Sequence, residues 1–377
     1  MNQPKYINSL EGIPFLSQKE KAELEVVSKK FQIRVNEYYL NLIDWEDEND
    51  PLRRIVIPHL DELEEWGRLD ASDENKYTVL PGVQHKYDST VLFLVNSQCA
   101  GYCRFCFRKR LFLEKEKEEV LKDLEEGIRY LRAHPEASNL LLTGGDALLL
   151  PTPKLEQIIS RAREVEHIRI IRLGSKVPAY NPYRILNDTS LLELIRRYSK
   201  PNRRIYVMTH FNHPNELTEQ SREAISLLIK AGAMLCNQTP LIRGVNDNPF
   251  VLSQLFKELS FLGVAPYYVF QCRPTIGNKA YAVPIEEGYE IFEQARMNCS
   301  GLAKRARFVM SHSSGKIEIV GKSDGEVYFK YHRSAQPEDS GKFMGFKSNP
   351  EAYWFDDYEE VIREYPLRNP FRVSGPE

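Results

Sequence analysis

Three cysteines lie within eight residues of one another in the segment NSQCAGYCRFCFRKR, directly after the apolar run VLFLV. Cys99, Cys103 and Cys106 have the spacing C-x3-C-x2-C. Thiolates with this spacing can bind three irons of a cubane iron–sulfur cluster. The fourth iron would then have no protein ligand, and an open iron is a place where chemistry can occur.

A disulfide and a structural zinc site are the two other interpretations of these cysteines. The chain has six cysteines in 377 residues, no signal peptide and no long apolar span, which indicates a reducing, cytoplasmic setting and disfavours a disulfide. Zinc sites usually combine two pairs of Cys or His ligands, whereas Cys236, Cys272 and Cys299 each stand alone. We therefore expect an open [4Fe–4S] cluster.

The composition excludes several classes of protein. The formal net charge is −2 and 42% of the residues are hydrophobic, so the chain can build a full core as one α/β barrel with extensions or as two domains. A nearly neutral chain is not expected to bind nucleic acid through bulk phosphate attraction. No apolar run is long enough for a membrane span. The basic FRKR cluster is local, which is typical of a site for a small anion.

Short apolar runs alternate with amphipathic stretches from residue 91 onwards. Six strands are predicted, starting at Val91, Leu140, Ile168, Ile205, Ala233 and Ala265. The helices predicted between them cover residues 116–134, 152–165, 190–200, 215–232 and 248–263. Six such units in a row predict a parallel α/β barrel or a doubly wound sheet. Ligands bind at the carboxyl ends of parallel strands, and the three cysteines follow the first strand.

The chain divides into three predicted parts. Residues 1–84 form a charged helical extension, with Ser17 as the N-cap of its first helix. Residues 85–284 form the core barrel. Residues 285–377 form a C-terminal segment with a helix and β-rich runs, in which Lys316 lies in a His-Ser-Ser-Gly-Lys turn.

The motifs, taken in order, resemble those of the lysine 2,3-aminomutase family within the radical S-adenosylmethionine (SAM) superfamily. They are CAGYCRFCFRKR, LLTGGDALLL, RLGSKVPAYNPYRI, THFNHPNELTEQS, NQTPLIRGVND, YYVFQC and a late Gly-Lys. The resemblance runs from about His85 to Tyr331, roughly two-thirds of the chain.

The resemblance implies a partial (β/α)6 barrel that binds SAM on a [4Fe–4S] cluster held by Cys99, Cys103 and Cys106. One electron delivered to SAM would release a 5′-deoxyadenosyl radical. The residues implied to contact SAM are Gly144, Gly145, Asp146, His210 and Gln238, with Arg184 as an anchor of SAM or of its loop. His213 is expected to shape a loop.

Members of the family also use pyridoxal 5′-phosphate (PLP), bound to a lysine in a glycine-rich turn. The resemblance assigns that role to Lys316, although such a lysine is otherwise a solvated charge, and the glycine run is reduced here to Gly315. Lys86 and Tyr87 match positions that hold the PLP phosphate. Thr90 stands where the family usually has an arginine, and threonine lacks the bidentate charge of that side chain.

Substrate binding follows the family at one position and departs from it at another. Arg108 matches the arginine that takes the substrate α-carboxylate. Lysine-specific members place two acids around the substrate ammonium, whereas this chain has Arg273 at the first position and Met310 or Ser311 at the second. An ammonium beside Arg273 would be unpaired, so we expect a substrate other than lysine, with an acidic or polar side chain. Alternatively, Arg273 faces a local carboxylate and contacts no substrate.

The implied reaction is a 1,2-amino migration on an amino acid, in which Lys316 hands PLP to the substrate as an aldimine and the deoxyadenosyl radical removes a hydrogen. The alternative is a radical SAM epimerase, dehydrogenase or modifying enzyme without PLP; an iron–sulfur sensor would not explain the SAM-type motifs. The expected partners are a small-molecule substrate of the amino acid class, an electron donor of the flavodoxin or ferredoxin type, and a second copy of the chain in a homo-oligomer. No zinc is expected, because no cysteine follows Cys299.

Overall fold

A thirteen-stranded sheet forms the centre of the protein in the computed structural model, which describes residues 3–112 and 119–367. A separate pair of short strands lies near the N-terminus. In chain order the strands are β1 (Tyr6–Ile7), β2 (Val35–Asn36), β3 (Thr78–Leu80), β4 (Val83–Tyr87), β5 (Thr90–Asn96), β6 (Asn139–Gly144), β7 (Ile170–Ser175), β8 (Ile205–Thr209), β9 (Met234–Pro240), β10 (Ala265–Phe270), β11 (Arg307–His312), β12 (Gly315–Ser323), β13 (Glu326–Ser334), β14 (Phe343–Lys347) and β15 (Val361–Tyr365).

Each strand of the large sheet pairs with the strand that follows it in the chain. The strands from β5 to β11 are parallel. The strands β3 and β4 add antiparallel pairs at one edge, and β12 to β15 add them at the other. This arrangement confirms the predicted α/β class and the partial barrel. The six predicted strands are β5 to β10, and β11 adds a seventh parallel strand within the segment predicted as a β-rich tail.

Helices make the crossovers between the parallel strands. The described α-helices are α1 (Gln18–Lys30), α2 (Glu37–Leu40), α3 (Pro51–Val56), α4 (Leu124–Ala133), α5 (Thr152–Arg163), α6 (Val177–Tyr180), α7 (Tyr183–Leu186), α8 (Thr189–Tyr198), α9 (Glu219–Lys230), α10 (Pro249–Phe261) and α11 (Ile285–Met297). Ser17 caps α1 as predicted, because its hydroxyl accepts a hydrogen bond from the Glu20 backbone N–H in a capping box. Asp188 and Thr218 cap α8 and α9 through side-chain oxygens that accept hydrogen bonds from the backbone N–H groups of Leu191 and Ser221.

The helix predicted over residues 116–134 is shorter in the structure. Residues 116–118 lie outside the described residues, and α4 begins only at Leu124, after its cap Asp123. The backbone N–H of Leu121 donates instead to the carbonyl of Leu94 in β5. Because this N–H group bonds to the sheet, it is not used in a helix. The predicted helix was therefore wrong for residues 119–123.

Side chains of the parallel strands alternate between a helix-covered face and an inner face. In β6, Leu140 and Leu142 are fully buried in the main core, while Leu141 and Thr143 between them line an internal cavity. This period of two is what a strand between two environments requires. The same alternation in the other parallel strands leaves polar side chains facing inwards.

A second apolar cluster lies under the C-terminal strands. It contains Phe308, Ile317, Phe329 and Phe346 from four successive strands, and Trp354 from the chain that follows them. The aromatic segment after β14 therefore packs over the sheet and covers its last strands.

One continuous sheet crosses both predicted domain boundaries, at residues 84 and 284. The division into three parts therefore stays a prediction. Within the described part of the chain, no helix is both long and apolar enough to cross a membrane.

The N-terminal extension is tied to the cysteine loop through a buried ion pair. The guanidinium of Arg104 donates to both carboxylate oxygens of Glu62, with the shortest contact at 2.7 Å. Tyr281 donates a further hydrogen bond to Glu62. Because the Glu62 side chain is completely buried, removing one partner leaves an uncompensated charge in the interior.

Replacing Glu62 with alanine should lower the free energy of unfolding by about 3–5 kcal/mol, because the buried guanidinium of Arg104 loses its counter-charge. Urea denaturation of wild type and variant measures the difference. Glu64→Ala is the matched control, since Glu64 is exposed on the same segment and surface changes usually stay within about 0.5 kcal/mol. A loss no larger than that of the control would contradict the prediction.

Candidate functional site

A cavity of about 380 Å³ lies against the inner face of the sheet. All thirteen residues predicted to bind cofactors or substrate line it: Lys86, Tyr87, Cys99, Cys103, Cys106, Arg108, Gly144, Gly145, Asp146, His210, Gln238, Arg273 and Lys316. The fold therefore brings together residues that are separated by as many as 230 positions in the sequence.

The cysteine loop follows β5 and is clamped through its backbone. The Arg34 Nε atom donates to the Cys99 carbonyl over 2.7 Å, and Asn36 Nδ2 donates to the Ala100 carbonyl over 3.0 Å. Both donors belong to the N-terminal extension. Such contacts set the path of the loop and leave the cysteine side chains free to point into the cavity.

The side chains of Cys99, Cys103 and Cys106 all line the cavity. Their sulfurs do not all lie within 4.8 Å of one another, whereas sulfurs on one tetrahedral zinc would be about 3.8 Å apart at a bond length of about 2.3 Å. The arrangement therefore differs from that of three thiolates on a single zinc ion. The Cys103 sulfur contacts the Tyr180 hydroxyl at 2.9 Å, and burial raises the pKa of Cys103 to about 12.

The glycines after β6 allow two loops to approach each other closely. Gly144 has φ of +121°, and a Cβ on it would lie 2.3 Å from the Asn96 carbonyl oxygen. A Cβ on Gly145 would lie 2.2 Å from the Gln98 carbonyl oxygen. Both partners belong to the segment that leads into the cysteine loop, so the glycines hold that segment against the end of β6.

Asp146 joins the ends of β6 and β7. Its carboxylate accepts hydrogen bonds from the backbone N–H groups of Leu148, Lys176 and Val177. Burial raises the pKa of Asp146 to about 6, and these hydrogen bonds together with one from Ser175 oppose the rise. The carboxylate therefore orders two loops of the cavity wall, and its contact with SAM stays a prediction.

His210 and Gln238 line the cavity after β8 and in β9. The ammonium group of Lys176 donates to the His210 carbonyl at 2.7 Å and forms a buried ion pair with Glu216 at 2.6 Å. Burial, reinforced by the Lys176 charge, holds the pKa of His210 well below its ordinary value. The imidazole is therefore neutral near pH 7 and keeps one nitrogen as a hydrogen-bond acceptor.

Arg108 is held by an acid that the sequence did not reveal. Glu74 accepts hydrogen bonds from the Nε and Nη2 atoms of Arg108 and from Arg110, and Thr143 accepts one from Nη1 of Arg108. Because Glu74 takes only the Nε side of the guanidinium, the edge between Nη1 and Nη2 retains N–H groups. Glu74 lies 34 residues before Arg108, at the start of the short 3-10 helix Glu74–Tyr77, so no local pattern indicates the pair.

Arg273 stacks on an aromatic ring and has no counter-ion among the described residues. Its guanidinium carbon lies 3.7 Å from the ring centroid of Phe107, and that of Arg108 lies 4.9 Å from the same centroid. The Nη1 atom of Arg273 is buried, without a hydrogen-bond partner in the described structure. Burial lowers the pKa of Arg273 to about 10, so the group is still a cation near pH 7. The described residues thus offer no local carboxylate that pairs with it.

Lys316 lies on β12 and not in the turn that the sequence predicted. Ser313 and Ser314 form the two-residue turn between β11 and β12, because His312 already pairs with Gly315. A Cβ on Gly315 would lie 2.4 Å from the backbone oxygen of Arg333, so this one glycine allows the hairpin to approach β13.

The Lys316 amine points into an aromatic part of the cavity. Its Nζ atom lies 4.3 Å from the ring centroid of Tyr268 and 4.7 Å from that of Phe270. Burial lowers the pKa of Lys316 well below its ordinary value, and the charges of Arg273, Arg333 and Arg172 lower it further. A lowered pKa increases the neutral fraction of an amine, and the neutral form is the nucleophile.

The polar residues around Thr90 include two arginines that the sequence analysis missed. Thr90 accepts hydrogen bonds from Arg172 at 3.3 Å and from Arg333 at 3.4 Å. The buried hydroxyl of Tyr87 has no hydrogen-bond partner among the described residues. Lys86 donates to the His312 carbonyl at 2.5 Å, and burial lowers its pKa to about 8.

Four further residues were predicted to anchor SAM, to shape a loop or to replace an acid of the substrate pocket. Arg184 forms an ion pair with Asp188, and the His213 side chain accepts a hydrogen bond from the Asn215 backbone in a short turn. Of the two candidates for the second acidic position, Met310 is buried in the C-terminal core while Ser311 lines the cavity. Ser311 is therefore the residue that occupies this position.

Comparison with known proteins gives matches over most of the chain. The sequence model of the Radical SAM superfamily matches residues 94–253. A protein of Aquifex aeolicus (strain VF5) with the name "Putative L-lysine 2,3-aminomutase" is 54% identical over 96% of this chain and 96% of its own length. The L-lysine 2,3-aminomutase of Clostridium subterminale is 37% identical over 77% of this chain and 68% of its own length. The glutamate 2,3-aminomutase of Clostridioides difficile (strain 630) is 36% identical over 79% of this chain and 69% of its own length.

Cys103→Ser is expected to remove the iron–sulfur chromophore, because serine does not supply the thiolate that a cluster iron needs. Iron content and the visible spectrum are measured after anaerobic reconstitution with iron and sulfide. Cys236→Ser is the control, since Cys236 lies on β9 outside the cavity lining. Full iron content in Cys103→Ser, or equal loss in both variants, would contradict the assignment.

Proposed function

Since the chain belongs to the lysine 2,3-aminomutase family of radical SAM enzymes, we propose that it moves the α-amino group of an amino acid to the adjacent carbon, with PLP as a second cofactor. The observation that carries this proposal is the shared cavity. Three cysteines and a buried nucleophilic lysine open into the same space. That combination fits a radical source and a carbonyl-binding amine acting on one substrate.

The residues present fit both cofactors. Cys99, Cys103 and Cys106 would hold the [4Fe–4S] cluster, and His210 and Gln238 would contact SAM. Lys316 would bind PLP, because burial lowers the pKa of its amine and the amine faces aromatic rings. When bound, cluster and SAM supply a 5′-deoxyadenosyl radical for hydrogen abstraction, and PLP supplies a π system that stabilises the migrating nitrogen.

Arg108 would bind the substrate α-carboxylate through the edge of its guanidinium that Glu74 leaves open. Glu74 and Thr143 hold the guanidinium plane in one orientation. A fixed fork matches a carboxylate with two parallel hydrogen bonds.

Arg273 would select the side chain of the substrate. It lies against the same Phe107 ring as Arg108, and its buried Nη1 atom has no partner among the described residues. A substrate carboxylate would supply that partner, whereas an ammonium would add to the positive charge. Ser311 gives no compensating negative charge. We therefore propose a substrate with an acidic or polar side chain, glutamate being the simplest example.

The reconstituted enzyme should convert L-glutamate to its β-amino isomer with a kcat/KM at least about 100-fold above that for L-lysine, since leaving a buried charge unpaired typically costs 2–5 kcal/mol. Mass spectrometry of the amino acids after reaction with SAM and dithionite measures both. Lys316→Ala should abolish turnover and the visible absorbance of lysine-bound PLP. Efficient lysine turnover would refute the proposed specificity. Absence of the PLP absorbance in wild type would favour a PLP-independent radical SAM enzyme.

Arg273→Asp should reverse the preference. Aspartate places a negative charge where a cationic side chain would end, so kcat/KM for lysine relative to glutamate should rise by about 100-fold or more. Arg273→Gln is the matched control, because it removes the positive charge without adding a negative one. An equal loss of activity with both amino acids would indicate that Arg273 does not face the substrate side chain.

A further inference from the structure

The cavity carries positive charge that the described protein does not neutralise. Glu74 and Asp146 are the acidic residues among the described lining residues, and both are already bound, to arginines and to backbone N–H groups. Besides Lys316, whose pKa is lowered by burial, four basic side chains of the lining form no ion pair with a described residue: Lys86, Arg172, Arg273 and Arg333. Burying so many like charges is unfavourable unless an anion joins them.

The charge is concentrated around the first residue of β5. Three guanidinium nitrogens, one from Arg172 and two from Arg333, approach the hydroxyl oxygen of Thr90 at 3.3–3.4 Å. A hydroxyl oxygen has two lone pairs, and these contacts are longer than the usual 2.9–3.0 Å. Thr90 therefore cannot satisfy all of these donors.

A β-bulge directs Arg333 into this cluster. Lys316 pairs with Arg333, but the next residue, Ile317, pairs with Tyr331. His332 is the extra residue, so the side-chain alternation along β13 shifts by one position. Directly opposed residues of an antiparallel pair project from the same face, and Arg333 therefore lies beside the amine of Lys316.

We propose that Arg333 and Arg172, with the hydroxyl groups of Thr90 and Tyr87, form the phosphate-binding site of the cavity. The site would take the dianionic phosphate monoester of the pyridine cofactor whose aldehyde Lys316 binds. This inference rests on the proposed function for the identity of that cofactor.

Several contacts favour a phosphate over a carboxylate. Arg333 also donates to the Ser89 hydroxyl at 2.9 Å and stacks on the Tyr87 ring at 4.2 Å. The Tyr87 hydroxyl and the Nε atom of Arg172 are buried without partners among the described residues. Two guanidinium groups that meet at the Thr90 hydroxyl, one of them stacked on the Tyr87 ring, suit the oxygens and the double negative charge of a phosphate. The neighbouring Lys316 adds the requirement that the ligand also carry a carbonyl carbon.

The experiment compares pyridoxamine 5′-phosphate with pyridoxamine, by calorimetry on the cluster-reconstituted protein. These probes differ only in the phosphate, and neither has an aldehyde, so binding needs neither a bond to Lys316 nor turnover. Wild type should prefer the phosphorylated probe. Arg333→Gln should reduce that preference by about 10- to 100-fold, as expected for the loss of a charge-assisted hydrogen-bonding fork, while the affinity for pyridoxamine stays unchanged. Arg333→Lys, which keeps the charge without the fork, should give an intermediate loss.

Lys330→Gln is the matched control, because Lys330 lies on the same strand but does not line the cavity. It should leave both affinities unchanged. Equal weakening of both probes in Arg333→Gln, with Arg333→Lys no better, would mean that Arg333 has only a structural role and would overturn the inference. No preference for the phosphorylated probe in wild type would overturn it too. A normal phosphate preference without amino-acid turnover would reject the proposed reaction and leave the phosphate site standing.

Discussion

The charged side chains on the inner face of the sheet are the constraint on which the rest of the structure depends. Charges cannot be packed into the apolar layer between sheet and helices without a large desolvation cost. The alternation of the parallel strands therefore places them around a cavity. Glu74 and Glu216 neutralise part of this charge, through Arg108 and Lys176. The positive charge that remains lies in the cavity, where anionic ligands would bind. The groups that would bind these ligands are therefore already in position in the unliganded barrel.

Much of the candidate site could be predicted from the sequence, because its residues lie at recognisable points of the strands. The cysteine spacing and the glycines after β6 mark loops at the carboxyl ends of parallel strands, which meet in any such sheet. Two features could not be predicted. The Glu74–Arg108 pair joins a short 3-10 helix to a loop that is distant from it in the sequence. Arg333 would face the same side as Tyr331 under strict alternation, and only the bulge at His332 turns it towards the cavity.

The N-terminal extension contributes to the site although it lies outside the sheet for most of its length. Arg34 and Asn36 bind backbone carbonyls of the cysteine loop, and Glu62 neutralises Arg104 within it. These contacts explain how a loop without secondary structure of its own holds three thiols in one arrangement. Residues predicted only as a charged helical extension thus support the cysteine loop.

The strictly sequential order of the strands in the large sheet affects how the chain can fold during its synthesis. Each strand pairs with the one just before it in the chain, so the sheet can grow strand by strand as the polypeptide leaves the ribosome. Pairing of this kind keeps loop closures short, which lowers the entropic barrier to each addition. The cysteine loop is then enclosed early, while β12 and β13 join late, followed only by β14 and β15 among the described strands. The residues that would receive the aldehyde and the phosphate therefore become competent only when nearly the whole chain has been synthesised.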